Sequence, residues 1–485
     1  MSRPSKYLML LGAVMLLVGC SPHETRLDEA EIRMPARFLQ AEIASPSSLG
    51  PWWEAFGDPS LNFLMEEALR HNLDVRQAQA RLAQFEALEK QSAAGLFPFL
   101  RLTGKASRDK SQGLGGENTG SSQSLSLAAG YEVDLWQRIR ATAGAADFLA
   151  RASREDLKAL YMNLTAQMAD LYFLAVEQRA QRRLTNSIID TLADRLLRVE
   201  NRYRQGLGAA LDVYQARQNL LEAREALPAI ASSLAVAEHG LSVLVGRFPE
   251  ENIGGQLMEL AEAPEAFPAG LPATLLTSRP DIEAARLRLA SKDAEVAAAV
   301  AARFPTLNLL GGYGVSRIDQ GLAIASGTFW NLAAELSQSL FDAGARKAEV
   351  ERRQAAFAEQ LDAYRQAVLN AVREVEDALA RNRATELQLQ ILKEREEAAA
   401  AALRLATGDY FEGLSDYLPV LVAQQLHFQT QRSILSSKRQ LLSDRIGLAR
   451  ALGGSWPEIT LTEQLSQAGE EKFPSNGQGD DNEQQ

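Results

Sequence analysis

The chain contains two copies of one sequence unit, displaced from each other by 207 residues. The segment "NLDVRQAQARLA" from Asn72 aligns with "RPDIEAARLRLA" from Arg279, and the same displacement pairs Tyr203 with Tyr410. One register persists through segments of helical, strand and turn pattern, which chance matches would not produce. The duplication therefore predicts two structural units with the same order of elements.

Each copy contains two segments whose side chains alternate between apolar and polar. In "SLSLAAGYEVDLW", residues 124–136, Leu127 and Tyr131 share the apolar face, and the preceding run "LRLTGKAS" alternates in the same way. In the second copy, Leu307 and Trp330 lie on the apolar faces of the two corresponding segments. Period-two alternation is typical of strands between two different environments, so each copy predicts a β-hairpin with lipid against its apolar face.

The four predicted strands cannot form a membrane sheet alone. Unpaired edge groups in hydrocarbon cost several kcal/mol each, and bacterial outer-membrane barrels begin at eight strands. Two chains would give a narrow eight-strand barrel filled by its own side chains, whereas three chains would give twelve strands. We therefore expect a β-barrel shared by three chains, with four strands per chain.

Two long segments lack helix breakers. No Gly or Pro occurs within 145–205 or 345–407, where Ala, Leu, Glu, Arg and Gln dominate. About 60 residues at 1.5 Å per residue make a helix roughly 90 Å long, with apolar side chains every three or four residues. A tight turn follows each helix, and Ser415 or Asp416 is expected to cap the second return helix. The expected fold is mainly α with membrane β, in which a long coiled-coil tunnel continues the barrel.

The N-terminus has the layout of a lipoprotein signal peptide. Arg3 and Lys6 precede an apolar run that is too short to span a bilayer and ends in "LVGC". The cysteine of this lipobox, Cys20, is the only cysteine in the chain, and we expect it to be acylated. Ser21 rather than Asp follows it, which resembles the outer-membrane address of bacterial lipoproteins. Several acyl chains on one residue make a durable anchor in outer-membrane lipid.

The composition and the motifs argue against several functions. The net charge of −11 argues against a nucleic-acid partner, and no run of 18 apolar residues offers a membrane-spanning helix. The sequence has no HExxH, nucleophile elbow, Walker or dinucleotide glycine pattern, and no cysteine cluster. His71, His239 and His427 are scattered over predicted helices. We therefore expect no enzyme, no catalytic residue, no cofactor and no metal site.

These signals divide the chain into six parts. They are a signal peptide (1–19), a lipidated extended segment (20–56), the first repeat (57–246), an inter-repeat connection (247–270), the second repeat (271–454) and a polar disordered tail (455–485). Each repeat is expected to run as helix, hairpin, long helix and return helix. The first helices are expected within 60–94 and 281–302.

Five motifs, together with the lipobox, resemble one family of bacterial proteins. They are "WWEAFGDPSLNFLMEEALRHNLDV" from Trp52, "YEVDLWQRIRA" from Tyr131, "LPATLLTSRPDIEAA" from Leu271, "LFDAGARKAE" from Leu340 and "GLSDYLPVLVAQQ" from Gly413. Over residues 17–454 the chain resembles the TolC-like outer-membrane efflux proteins, in the lipoprotein branch typified by OprM and the NodT-type factors. The resemblance implies a homotrimer in the outer membrane that extends into the periplasm and closes at a periplasmic tip.

The resemblance also implies the passive channel of a tripartite efflux pump. Such a channel exports small molecules, such as drugs and toxic compounds, that an inner-membrane transporter and a periplasmic membrane-fusion adaptor deliver. Two alternatives stay open on the sequence: a protein-export duct of a type I secretion system, and a lipid-anchored periplasmic coiled-coil adaptor or tether. Alternating strands joined to the long helices favour a channel over a tether.

A gate is expected where the long helices turn back, because this end of each helix is farthest from the strands. Leu211 and Leu418 follow the two turns at equivalent positions, and Leu418 is the better candidate for an apolar constriction. Relatives in this branch often carry an aspartate where this chain has Val422. The candidate gate residues are Tyr203, Leu211, Asp212, Asp409, Tyr410, Asp416 and Leu418, with Arg202 or Arg204 as partners of the aspartates.

Overall fold

The computed structural model describes residues 22–40, 51–113, 116–253, 255, 257, 259–319 and 324–454. The predicted signal peptide, the acylation site Cys20 and the predicted tail 455–485 lie outside the described residues. The helices are α1 (Pro59–His71), α2 (Leu73–Ala93), α3 (Arg138–Arg204), α4 (Ala210–Leu244), α5 (Leu275–Ser278), α6 (Pro280–Ala301), α7 (Ala345–Glu412) and α8 (Leu418–Ala451). The strands are β1 (Phe99–Gly113), β2 (Gly116–Val133), β3 (Thr306–Asp319) and β4 (Ile324–Ser337).

The strands form one antiparallel sheet in the order β1-β2-β3-β4. Both predicted hairpins are present, and they join through β2 and β3. The strands are 14 to 18 residues long. Strand β2 begins at Gly116 rather than at the predicted position 124. The polar residues at its start hide this part of the strand from a search for apolar alternation.

The two long helices are confirmed. Helices α3 and α7 have 67 and 68 residues, which corresponds to about 100 Å each at 1.5 Å per residue. A glycine in the left-handed region follows each helix, Gly206 with φ +73° and Gly413 with φ +80°, and lets the chain reverse. The return helices α4 and α8 have 35 and 34 residues. The predicted order of elements therefore occurs twice.

The chain divides into two compact units. The described residues of the first fall within 1–36, 73–161 and 272–373, and those of the second within 37–72, 162–271 and 374–485. The first unit contains the sheet, and Leu157, Ile282 and Phe357 are fully buried in it. The second contains both helix turns, and Tyr172 and Leu241 are fully buried in it. The six-part division read from the sequence stays a prediction.

The helical segment predicted within 60–94 is divided into α1 and α2 at Asn72. The Asn72 side chain is 3% exposed, and its Nδ2 donates a hydrogen bond to the Leu244 carbonyl at 2.9 Å. This bond satisfies a buried amide and fixes the helix break against the end of α4.

Helix α4 departs from the expectation that no helix offers a membrane span. By length and composition it is long and apolar enough to cross a membrane, although it contains no uninterrupted run of 18 apolar residues. Its Leu220 and Ala223 are buried against Ile188 and Leu192 of α3. The apolar composition of α4 therefore serves at least in part to pack one arm of a helical hairpin.

Candidate functional site

The sheet places the predicted lipid-facing residues together. Residues directly opposite each other on antiparallel strands share a face, and Leu102, Leu127, Tyr313 and Trp330 form one row across all four strands. These four residues are 45% to 76% exposed. The same face carries Leu100, Leu125, Tyr131, Leu307, Leu309, Val315, Leu332 and Leu336. The residues predicted to face lipid thus share one apolar face, and their contact with lipid stays a prediction.

The opposite face of the sheet is polar and contains several glycines. Phe99 lies across Gly130, and Phe329 lies across Gly314. A Cβ atom at either glycine would meet the phenyl ring at 2.5 or 2.6 Å, so only glycine leaves room for these rings. The polar residues of this face include Arg101, Thr103, Lys105, Ser124, Ser126, Asn331 and Glu335. A wet environment suits this face.

The sheet is open at both sides. Within the described residues, β1 pairs with β2 alone and β4 pairs with β3 alone. The outer edges of β1 and β4 therefore present backbone groups that no strand of the described chain pairs. Because such edges are costly in hydrocarbon, a sheet with this apolar face needs strands from another chain.

The two helix turns repeat each other in detail. The Leu207 N–H donates to the Arg202 carbonyl at 2.9 Å, and the Leu414 N–H donates to the Asp409 carbonyl at 2.8 Å. These six-residue hydrogen-bonded loops satisfy carbonyls that a helix C-terminus leaves without partners. The candidate residue Asp409 thus lies in the last turn of α7, where its carboxylate is exposed.

Tyr203 and Tyr410 occupy equivalent positions in different environments. Tyr410 is 4% exposed, whereas Tyr203 is 49% exposed. The Tyr410 Oη donates a hydrogen bond to the Asp212 Oδ2 at 3.0 Å, which joins the end of α7 to the start of α4. Burial, followed by this hydrogen bond to the Asp212 carboxylate, raises the pKa of the Tyr410 phenol to about 12.

The predicted pairs between the gate aspartates and Arg202 or Arg204 are absent within the described chain. The Arg202 guanidinium lies 5.0 Å from the centroid of the Tyr410 ring, and its Nη1 donates to the Phe411 carbonyl at 2.7 Å. Arg204 lies 3.5 Å from the Glu200 carboxylate. Carbonyls at a helix C-terminus carry partial negative charge, so they attract Arg202 in place of an aspartate.

The predicted cap of α8 is wrong. Helix α8 begins at Leu418 with no side-chain cap, and the Ser415 Oγ donates instead to the Asp416 carbonyl at 3.3 Å. Pro419, in the first turn, lacks an N–H and removes one donor that a cap would satisfy. Leu211 and Leu418 are 64% and 61% exposed, so both project from the turns. Their place at a constriction stays a prediction.

Two ion pairs, one in each repeat, were not predicted from the sequence. They occupy equivalent positions, but the acidic and the basic residue are exchanged between the repeats. Arg179 of α3 and Glu238 of α4 lie 2.7 Å apart with 2% and 5% of their side chains exposed. A shift of 207 residues leads to Glu386 of α7 and Arg445 of α8, which form an ion pair with the charges exchanged. Comparing the charges at equivalent positions would have found both pairs.

The match to known proteins repeats this duplication. Two segments, residues 64–247 and 271–454, each match the family described as outer membrane efflux protein. Together they cover more than half of the chain. The chain belongs to the outer membrane efflux protein family. The starts of the two segments, and also their ends, are 207 residues apart, which confirms the internal duplication.

Relatives of this outer membrane efflux protein share almost its whole length. It is 32% identical over 472 residues to the pyoverdine export outer membrane protein OpmQ of Pseudomonas aeruginosa, covering 93% of this chain and 97% of OpmQ. It is 29% identical over 470 residues to the toluene efflux pump outer membrane protein TtgC of Pseudomonas putida, covering 93% and 96%. The solved outer-membrane channel OprN superimposes with a TM-score of 0.81 at 29% identity, covering 88% of this chain and 98% of OprN.

These comparisons confirm the predicted family, the outer-membrane location and the role of an efflux channel. They favour the channel over the periplasmic tether, because the relatives are transport proteins of the outer membrane. Among the described residues, no group of three His, Cys, Asp or Glu side chains could hold a metal ion.

Proposed function

We propose that three copies of this protein form one closed barrel and one helical tunnel, through which a tripartite pump expels small molecules. The observation that carries the proposal is the four-stranded sheet with one apolar face and two open edges. Successive strands are antiparallel, so β1 and β4 run in opposite directions. Strand β4 of one copy can therefore pair antiparallel with β1 of the next, and twelve strands close without an edge.

The apolar face has the dimensions of a membrane-spanning surface. On β2 the outward residues are apolar from Leu125 to Val133 and become polar at Gln123. On β3 the corresponding band runs from Leu307 to Val315. Nine residues match the length that a tilted strand needs to cross the hydrocarbon core. The band therefore supports a barrel wall in contact with lipid.

Small molecules are the cargo that the relatives favour. The names of two relatives refer to pyoverdine export and toluene efflux, and neither refers to an exported protein. We propose an inner-membrane transporter and a membrane-fusion adaptor as the partners of the channel. A type I secretion duct is the competing proposal. Deleting the chain should sensitise cells to small toxic compounds and leave protein secretion unchanged. The opposite pattern would assign the channel to protein export.

Purified protein provides a direct test of the channel. We expect the unheated protein to migrate as a trimer that boiling converts to single chains, and the trimer to conduct ions in a planar bilayer. A protein that stays monomeric and forms no conducting species in lipid would refute the proposal.

We propose the helix turns as the periplasmic gate. Leu211 and Leu418 would narrow the opening, and the exposed carboxylates Asp409 and Asp416 would surround it and favour cations. Replacing Leu418 and Asp416 together by Ala should raise the single-channel conductance, whereas Asp416→Ala alone should mainly weaken cation preference. If the double variant forms a trimer but conducts like the parent, the constriction lies elsewhere.

We propose that the hydrogen bond between Tyr410 and Asp212 is a latch, which holds α7 against α4 when the gate is closed. Tyr410→Phe removes the donor and keeps the ring, so it should increase the frequency of spontaneous opening. Tyr203→Phe is the matched control, because Tyr203 is the equivalent residue and is exposed. If the two variants open equally often in single-channel recordings, the hydrogen bond does not stabilise the closed gate.

We propose that acylated Cys20 anchors the channel beside its first unit. The chain just after Cys20 is held by one residue of α6. Asp293 Oδ1 lies 2.9 Å from His23 Nε2 and accepts the Arg26 N–H at 3.3 Å, while Asp293 Oδ2 accepts the Thr25 hydroxyl at 2.7 Å. Only two residues lie between Cys20 and His23 in the sequence, so acyl chains on Cys20 would be attached close to this contact along the chain.

A further inference from the structure

The two hairpins are identical in strand register as well as in sequence pattern. Phe99 lies opposite Gly130 in the first hairpin, and Thr306 lies opposite Ser337 in the second. Both residues of the second pair are displaced by 207 from those of the first, and every pair of the second hairpin as far as Asp319 with Ile324 follows the same rule. The duplication therefore extends to backbone pairing.

The pairing of β2 with β3, which we call the β2–β3 joint, indicates how the open edges of β1 and β4 could pair. Strand β2 pairs with β3 so that Ala128 lies opposite Gly312. Adding 207 to a residue of β2 gives its counterpart in β4, and subtracting 207 from a residue of β3 gives its counterpart in β1. The counterparts of Ala128 and Gly312 are therefore Glu335 and Lys105. The open edges β4 and β1 are thus the repeat counterparts of two strands that already pair.

We propose that β4 of one copy binds β1 of a second copy in the register of the β2–β3 joint. This inference rests on the proposed trimer and specifies its interface. In this interface the backbones of β4 and β1 form a continuous antiparallel ladder. On the polar face, Glu335 of one copy forms an ion pair with Lys105 of the next. The predicted opposite pairs on that face are Ser337 with Thr103, Glu335 with Lys105, Ala333 with Ser107, and Asn331 with Asp109.

The two faces of the sheet agree with this register. Outward residues of β4, such as Leu336 and Ala334, meet outward residues of β1, Gly104 and Ala106, so the apolar face continues across the interface. A slip of one residue would turn the apolar side chains of one strand toward the polar face. The register is therefore restricted to even slips.

Charge distinguishes the proposed register from slips of two residues. Lys105 and Glu335 are both exposed, and both lie on the polar face. A slip of two residues would place Glu335 opposite Thr103 or Ser107 and leave both charges without a directly opposed partner. Opposite charges directly across an antiparallel pair stabilise it. The proposed register is the one of these three that pairs them.

The exposed end of β4 is compatible with the same register. The β2–β3 joint ends at Val133 opposite Leu307, and its counterpart is Leu340 opposite Leu100. Leu340 is 94% exposed and Leu100 is 71% exposed in the single chain. Pairing with a second copy would extend β4 beyond Ser337 to Leu340 and bring these two side chains together on the apolar face.

Disulfide trapping in the full-length trimer tests the register. The variant Ala333→Cys with Ser107→Cys places thiols on directly opposite residues, and oxidation should give covalent trimers on a denaturing gel. The control Asn331→Cys with Ser107→Cys moves one thiol by two residues along the same face. It should still form the trimer but should not cross-link, so it should run as a single chain on the denaturing gel. Single-cysteine variants report any contribution of Cys20.

The possible outcomes separate the register from the proposed trimer. If unheated trimers form and the control pair cross-links in place of the test pair, the register is wrong and the trimer stands. If no variant or parent protein forms a trimer, both proposals fail. Charge exchange gives a second readout: Glu335→Lys should lower the temperature at which the trimer dissociates, and adding Lys105→Glu should restore it. No restoration would overturn the ion pair.

Discussion

The buried ion pair between Arg179 and Glu238 allows a quantitative test of the helical hairpin. The two side chains are 2.7 Å apart and 2% and 5% exposed. Glu238→Gln keeps the shape of the side chain and removes the buried negative charge that lies 2.7 Å from Arg179. Removing one partner of a buried pair costs about 3 to 5 kcal/mol. At 1.4 kcal/mol per tenfold, local opening of α3 and α4 should become roughly two to four orders of magnitude more frequent.

Hydrogen exchange of the α3 and α4 amides measures this opening directly. The matched control is Glu259→Gln, which breaks an exposed pair with Arg183 whose side chains are 61% and 81% exposed. An exposed pair contributes about 0 to 1 kcal/mol, so this variant should exchange like the parent.

Exchanging the charges provides the rescue experiment. The double variant Arg179→Glu with Glu238→Arg reproduces the polarity that the second repeat uses at Glu386 and Arg445. We expect it to recover most of the protection that Glu238→Gln loses, since the pair is restored. If Glu238→Gln exchanges no faster than Glu259→Gln, the buried pair does not stabilise the hairpin and the reasoning is refuted.

Three further predictions concern the anchor, the wall and the latch. Cys20→Ser should abolish palmitate labelling while the trimer persists, and continued labelling would exclude acylation at Cys20. Leu127→Arg should destabilise the assembled trimer by about 2 to 4 kcal/mol if Leu127 faces lipid near the membrane midplane. Ser126→Arg, on the opposite face, should instead alter conductance. Equal assembly defects in the two variants would contradict the assigned faces. The pKa of Tyr410 is raised from 10.0 to about 12, so its contribution to stability is complete below pH 10 and is lost as pH rises through 12. Absorbance titration of Tyr410→Phe should therefore lack one late-ionising phenol, and an unchanged titration curve would exclude the raised pKa.

The sequence predicts the architecture because the patterns that mark the helices and strands are local, and because each pattern occurs in both repeats. The absence of Gly and Pro over 145–205 and 345–407 predicts α3 and α7, although α3 begins before Gly144 and α7 continues past Gly408. Period-two alternation predicts the faces of the strands. Alternation misses the polar part of β2 from Gly116, where pairing depends on the partner strand and no apolar side chain marks it. The fold follows from pattern, while the ends of its elements follow from their neighbours.

The helix turns show where sequence reasoning fails. Equivalent positions suggest equivalent roles, yet Tyr410 is buried and Tyr203 is exposed. Arg202 was expected to pair with an aspartate and instead bonds to a carbonyl, because a side chain with five donors takes the acceptors that the fold brings nearest. The partner of a polar side chain is a tertiary property, and the sequence restricts it without selecting it.

The strands are longer than a bilayer requires, and this has a consequence outside the cell. Strand β2 has 18 residues, and the apolar outward band ends where Gln123 lies opposite Arg317. The remaining residues of β2 extend the wall by up to roughly 20 to 30 Å along the strand. In the proposed barrel this polar collar stands above the lipid and is the part that an antibody or a bacteriophage would meet first. Substitutions there would change recognition of the cell surface and leave the gate and the barrel seam intact.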